Sequence, residues 1–200
     1  MANSNKILLN VPHFDQNDNA TNFHGSGSRQ CCLTSNAMAL NAILIDLGLK
    51  SLTQMAKDEG YDEAESYYGE ILNRYGDTTD HNANTLALKE FGIESYFSTT
   101  LDNNFLIASL KKRLPVPVGF HYKGSGHIAV VIGVDFLDED FIINDPYGIR
   151  AGSADFYSKI GGYSGKHDRY GFPLMDEVWT QRDDGWGRVY TRIKGKATGF

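Results

Sequence analysis

Hydrophobic and polar positions divide the chain into a helical front half and a strand-rich middle. Leu33, Ala37, Leu40, Ile43, Leu44 and Leu47 recur at helical spacing after Cys31 and Cys32, and Gly48 stops the run. Ser51-Leu52-Thr53-Gln54 reads as a capping box that opens a short helix ending at Gly60. From Asp62 to Tyr75, the residues Tyr67, Tyr68, Ile71, Leu72 and Tyr75 share one side of a helix. Asn82 to Phe91 predicts a further helix between Asn caps and Gly92, Ile93 to Ser98 alternates as a strand, and Asp102 begins a helix closed by Pro115. The character then changes. Val116–Tyr122, His127–Asp135 and Phe141–Pro146 are β-branched runs separated by Lys123-Gly124-Ser125-Gly126 and an acidic turn. Helices followed by an antiparallel sheet predict an α+β domain.

Outside these elements the pattern is less regular. Ile7 to Phe14 predicts an extended lead-in, and Asp15 to Ser28 a polar loop that delivers the chain to the cysteines. Residues 148 to 171 form a glycine- and tyrosine-rich excursion, and the stretch around Glu177-Val178-Trp179 and Trp186–Tyr190 is expected to return to the sheet. No repeat or linker divides the 200 residues, so one domain is expected over 1–200, with 148–200 a less regular extension of it.

Composition narrows the function. With 19 basic against 25 acidic residues, a net charge of −6 gives no basic footprint for nucleic acid, and no Gly-Lys-Ser/Thr phosphate loop is present. Arg188, Arg192, Lys194 and Lys196 read as a solvated basic tail. Two adjacent cysteines cannot staple distant parts of a domain. The N-terminal residues lack the apolar core of a secretory signal, and no segment reaches the length of a membrane helix. The expected setting is a reducing compartment, with no membrane insertion. Asp15-x-Asn17-x-Asn19 resembles the start of a calcium loop, but Ala20 and Ser26 break the pattern where Gly and Glu are needed.

The chemistry centres on the cysteines. A thiol in the first turn of a helix feels the positive end of the macrodipole, which favours the nucleophilic thiolate; a core role is the alternative. A cysteine nucleophile needs a base, and the base needs an orienting group. His13, His24, His81 and His167 fall in polar segments and read as surface residues. His121 and His127 flank the strand turn; if Tyr122 pairs with His127, the two histidines face opposite sides. His127 is the chosen base, because it opens an otherwise apolar strand. An antiparallel hairpin returns Asn144-Asp145-Pro146 towards it, making Asp145 the orienter and Asn144 the runner-up. Gln16 and Gln30 are candidates for a side-chain oxyanion donor. Gln30 is badly placed beside Cys31, whereas Gln16 arrives on a free loop.

The order of these pieces resembles the C39-like cysteine peptidases of the papain-like superfamily. The resemblance is carried by Val11–Asn19, the cysteine–Thr34-Ser35 helix start, Gly126–Gly133 and Asn144-Asp145-Pro146-Tyr147-Gly148, spread over residues 7 to 148. It implies a papain-like fold in which the nucleophile helix packs on an antiparallel sheet. It implies Cys31 as nucleophile, His127 as base, Asp145 as orienter and Gln16 as oxyanion donor, with no metal or other cofactor. The family usually has Gly after the nucleophile, where this chain has Cys32; the spacing to Thr34-Ser35 favours Cys31. Beyond residue 148 the segment Gly161–Gly165 through Trp186-Gly187 is similar to the tails of phage lytic enzymes. The resemblance thus implies an endolysin: a monomer made in the host cytoplasm, released with the help of a holin and cutting peptidoglycan stem-peptide bonds at the cell wall. The competing expectations are a protein-processing cysteine protease or transpeptidase, and a non-catalytic binding module.

Overall fold

The structure, a computed structural model, describes residues 5–123, 125–150, 152–180 and 185–200. Helices α1 (Cys31–Asp46), α2 (Leu52–Asp58), α3 (Ala64–Asn73) and α4 (His81–Glu90) precede and flank the sheet, and α5 (Asn103–Lys111) lies between two of its strands in sequence. The sheet contains β1 (Lys6–Leu8), β2 (Ile93–Leu101), β3 (Val116–Tyr122), β4 (Ser125–Asp135), β5 (Asp140–Asn144), β8 (Asp168–Gly171), β9 (Gly185–Ile193) and β10 (Lys196–Ala197). Its main path runs β10-β9-β3-β4-β5-β8, with β1 on β4 and β2 on β9. All of these pairings are antiparallel. A small hairpin, β6 (Gly148–Ile149) with β7 (Lys159–Ile160), stands apart from the sheet, and α6 (Phe172–Met175) follows β8. The α+β architecture expected from the sequence is the one observed. No helix among the described residues is long and apolar enough to cross a membrane.

Helix α1 is buried nearly all round, from Cys32 to Leu44. Leu33, Ala37, Leu40, Ile43 and Leu44 pack against Tyr68, Leu72 and Leu88 of α3 and α4. Its other side, Met38, Ala39 and Ala42, meets Val130 and Ile132 of β4 and Ile142 of β5. Polar side chains on so buried a helix act as struts. Ser35 Oγ donates to the Ile128 carbonyl on β4 (2.9 Å), and Asn41 Oδ1 accepts from the Thr53 N–H on α2 (2.9 Å). The far face of the sheet has its own core, where Leu106 and Leu110 of α5 join Val118, Val131, Phe141 and Trp179.

Several local expectations are corrected. Leu47 lies past the buried stripe and is largely exposed. Helix α4 is capped by Asp80, whose carboxylate accepts from the Asn82 and Ala83 N–H groups, rather than by asparagine. Ser51 caps α2 through the Gln54 N–H, but the Gln54 side chain turns forward to Asp58, so only half of the capping box forms. Helix α5 stops before Pro115, and Arg113 turns the chain with φ 62°. The β3–β4 hairpin is tighter than expected: Tyr122 opposes Ser125 and Phe120 opposes His127. Gly124 of that turn lies outside the described residues, as do Met1–Ser4 of the N-terminal segment. The basic tail is not wholly solvated either. Arg188 is fully buried and donates to Thr85 Oγ1, Ser95 Oγ and the His81 carbonyl.

Candidate active site

Cys31 is the first residue of α1, and the helix start carries no side-chain cap: Gln30 sends its amide instead to the Gly25 and Ala20 carbonyls. Thr78 Oγ1 accepts from the Leu33 N–H (3.1 Å) in that first turn, and the positive end of the helix faces the Cys31 side chain. The lead-in is fixed by close packing. A Cβ on Gly27 would lie 2.1 Å from the Gln16 carbonyl oxygen, so only glycine fits there. Cys31 is half-buried and Cys32 buried; neither forms a disulfide.

Opposite Cys31 stands His127, buried on β4 and sharing a face of the hairpin with Phe120, while His121 lies exposed on the other face. His127 Nε2 donates to Asp145 Oδ1 at 2.7 Å, which leaves Nδ1 to face the Cys31 thiol, its other hydrogen-bond partner. Asp145 follows the end of β5, where the Val130–Asn144 pairing carries it back alongside the start of β4. Burial by itself would raise the Cys31 thiol pKa. The hydrogen bond and positive charge of His127, with the Ile128 N–H, outweigh burial and bring it below its ordinary value. Burial would likewise suppress the imidazolium, but Asp145 and then Cys31 hold the His127 pKa up to about 9. The Asp145 carboxyl, against its own burial, is drawn down to about 2 by His127 and Arg150. A thiolate–imidazolium pair braced by a carboxylate is an arrangement suited to nucleophilic attack on a carbonyl.

Cys32 is its contrast. Burial first, and the neighbouring Cys31 second, push its thiol up to about 12, and Asn36 Nδ2 lies 3.5 Å from its sulfur.

Gln16 is buried close to the start of α1, tied to both sides of the site. Its backbone N–H donates to the Pro146 carbonyl (3.0 Å), and its Nε2 donates to the Gly27 carbonyl (2.9 Å) just ahead of α1. Among the described residues its Oε1 has no hydrogen-bond partner. Gln30 and Asn144, the two runners-up, are occupied structurally. Gln30 Oε1 accepts from Asn19, and Asn144 Nδ2 donates to the Val11 and Pro12 carbonyls while its Oδ1 accepts from the His167 N–H. In the loop with the calcium-like start, Asp15 takes the Asn17 and Tyr163 N–H groups and the Asn17 amide. Among the described residues no group of three or more His, Cys, Asp or Glu is placed to hold a metal ion.

Three histidines expected at the surface are built in. His13 Nε2 donates to the Asp145 carbonyl (2.8 Å), and His24 is buried with Nε2 donating to the Gly69 carbonyl (2.9 Å). His81 stacks on Phe97 with ring centroids 3.6 Å apart, and burial and Arg188 lower its pKa to about 4. Each lies in a loop or at a helix start that is covered by another segment, which polarity along the chain does not reveal.

Residues that sequence reasoning passed over surround the far oxygen of Asp145. Tyr157 and Tyr170 each donate a hydroxyl hydrogen to Oδ2, at 2.8 and 2.9 Å. Arg150, fully buried behind them, reaches the Tyr157 hydroxyl at 3.3 Å. All three belong to the excursion after residue 148 or to β8 at its end. Their only signal was the tyrosine content of that stretch. A cleft of about 310 Å³ opens beside Cys31, lined by Gly119, Phe120, Ile128, His81, Trp186 and Arg29.

Comparison with known proteins gives the family. A family model described as the Peptidase_C39 like family matches residues 8–170. The chain belongs to that family. It is a cysteine peptidase, with the mixed helical and antiparallel fold described above. This C39-like peptidase is also similar to two solved structures. One is the peptidase domain of Streptococcus ComA, a bifunctional ABC transporter of a quorum-sensing pathway, at 18% identity over 80% of this chain and 90% of that one (TM-score 0.43). The other is a double glycine motif protease from an AMS/PCAT transporter in complex with a leader peptide, at 15% identity over 92% of each chain (TM-score 0.45). No curated protein matches the sequence.

Proposed function

We propose that this peptidase hydrolyses amide bonds of peptidoglycan stem peptides, as an endolysin does, with Cys31, His127, Asp145 and Gln16 as its machinery. The Cys31 thiolate attacks the carbonyl carbon. The N–H groups opening α1 and the Gln16 amide steady the oxyanion, and the His127 imidazolium gives its Nδ1 proton to the departing amine as the C–N bond breaks. Water then loses a proton to His127 and attacks the thioester, which releases the carboxylate and restores the ion pair. The observation that carries this reading is the half-buried thiol at the start of α1, facing a histidine anchored at 2.7 Å to a buried carboxylate.

The wall substrate is favoured by the cleft. Gly119, Phe120 and Trp186 line it with Arg29 among them, and His81 is held neutral there, so its mainly apolar lining suits small side chains such as alanine. The partly exposed Trp186 ring offers an adjoining face for a sugar. On this reading the enzyme acts as a monomer at the wall, and a holin provides its release. The test is soluble-fragment release from purified peptidoglycan by the wild type and Cys31→Ala, with mass spectrometry of the new ends. New amino and carboxyl termini from the wild type alone are expected. Equal release by both proteins would overturn the thiol mechanism. No release, with Cys31 still rapidly alkylated, would remove the wall substrate in favour of a protein-processing protease.

A further inference from the structure

The charged row at the site does not stop at Asp145. This carboxylate is fully buried, yet it accepts four hydrogen bonds: His127 Nε2 (2.7 Å) and the Tyr147 N–H (2.9 Å) on Oδ1, and the hydroxyls of Tyr157 (2.8 Å) and Tyr170 (2.9 Å) on Oδ2. Arg150 lies behind the tyrosines. Its guanidinium sits over the Phe120, Tyr122, Tyr157 and Tyr170 rings at 5.3–5.6 Å and donates to the Ala154 and His121 carbonyls as well as to Tyr157. The row therefore runs from the Cys31 thiol through the His127 imidazole and the Asp145 carboxylate to the Arg150 guanidinium. A carboxylate stripped of water survives only when its lone pairs are filled and its charge is answered. Here the second pair of acceptor sites is filled by residues from beyond position 148.

We propose that Tyr157, Tyr170 and Arg150 are positioning residues for the hydrolysis, keeping Asp145 ionised and aimed so that His127 presents Nδ1 to Cys31. The proposal rests on the reading of Cys31, His127 and Asp145 as the catalytic set. Other titratable groups face Asp145 too. His13 reaches its backbone carbonyl, and Asp168, which accepts the Arg150 N–H, adds a negative charge nearby. Neither supplies a hydrogen bond to the carboxylate oxygens among the described residues. The two hydroxyls do, and a phenylalanine keeps the ring that cages Arg150 while deleting that bond.

The experiment is the pH dependence of Cys31 alkylation by iodoacetamide, mapped by mass spectrometry, in the wild type, His127→Ala, Tyr157→Phe, Tyr170→Phe and the double tyrosine variant. Without its donors the buried carboxylate takes up a proton at higher pH, and the imidazolium and thiolate lose their support with it. The acid limb is expected to move up by about one unit in each single variant and further in the double one, because a lost hydrogen bond to the charged form disfavours that form. At a fixed pH on that acid limb, alkylation should fall about tenfold. Tyrosine variants whose profiles superimpose on the wild type, whatever their melting temperatures, overturn the proposal. A wild-type thiol with an ordinary profile, indifferent to His127→Ala, overturns the catalytic set beneath it.

Discussion

Replacing Asp145 by asparagine in a Cys31→Ala background isolates the His127–Asp145 contact from the thiolate. In the native site the imidazole pKa stands at about 9 against an ordinary 6.5, the result of Asp145 and Cys31 overcoming burial. A group whose native pKa is raised adds stability that is full below its unfolded pKa and is lost as pH climbs through the native one. At about 1.4 kcal/mol per pKa unit, and allowing for the missing thiolate, the contact contributes about 2 to 3 kcal/mol near pH 6. The lowered Asp145 pKa describes the same contact and is counted once. The Cys31→Ala protein, whose imidazole lacks the thiol's support and so titrates below about 9, should therefore lose about that much stability as pH climbs from roughly 6.5 through that lower native pKa. Once Asp145→Asn is added, only burial acts on His127, and burial lowers its pKa. The slope then reverses: stability falls as pH drops below about 6.5, where the unfolded chain takes up a proton that the native one resists. Equilibrium urea unfolding across this range reads both slopes, and groups common to the two proteins cancel in the difference. Parallel pH dependences in the two proteins would refute the idea that Asp145 holds an imidazolium.

Two further outcomes follow from the site. Cys32→Ala should keep activity within about twofold and leave alkylation near neutral pH confined to Cys31, since the Cys32 thiol is buried with its pKa pushed up to about 12. Gln16→Ala should lower kcat about a hundredfold with little change in KM, as expected for the loss of one oxyanion donor, measured by steady-state kinetics on the released peptide.

The helical pattern, the two successive hairpins from Val116 to Asn144 and the approach of Asp145 to His127 were readable because each rests on local periodicity and short turns; the place of β9 between β2 and β3 was not. The exact hairpin register was not, since a turn two residues tighter preserves the alternation that puts His127 and His121 on opposite faces. Burial of polar residues was the harder matter. His24 and Arg188 look solvated in sequence, yet each is covered by residues far away in the chain, Gly69 for one and Thr85 and Ser95 for the other. The tyrosines on Asp145 were hidden for a similar reason. Their hydroxyls converge only because the excursion folds back, and a Cβ on Gly165 would lie 2.1 Å from the Asp145 carbonyl oxygen.

Strand β9 pairs with β2 through Ser98–Gly187 and with β3 through Val118–Gly187, so one late strand fills the gap between two early ones. Contacts of such long sequence separation form slowly, because the intervening loop must close before any pairing rewards it. During synthesis, a chain extended only as far as Asp145 already contains Cys31, His127 and Gln16. It has neither the hydroxyls that complete Asp145 nor the strand that joins β2 to β3. On the role proposed for those hydroxyls, a partly made copy of this peptidase holds a weakened nucleophile until its last segments are in place.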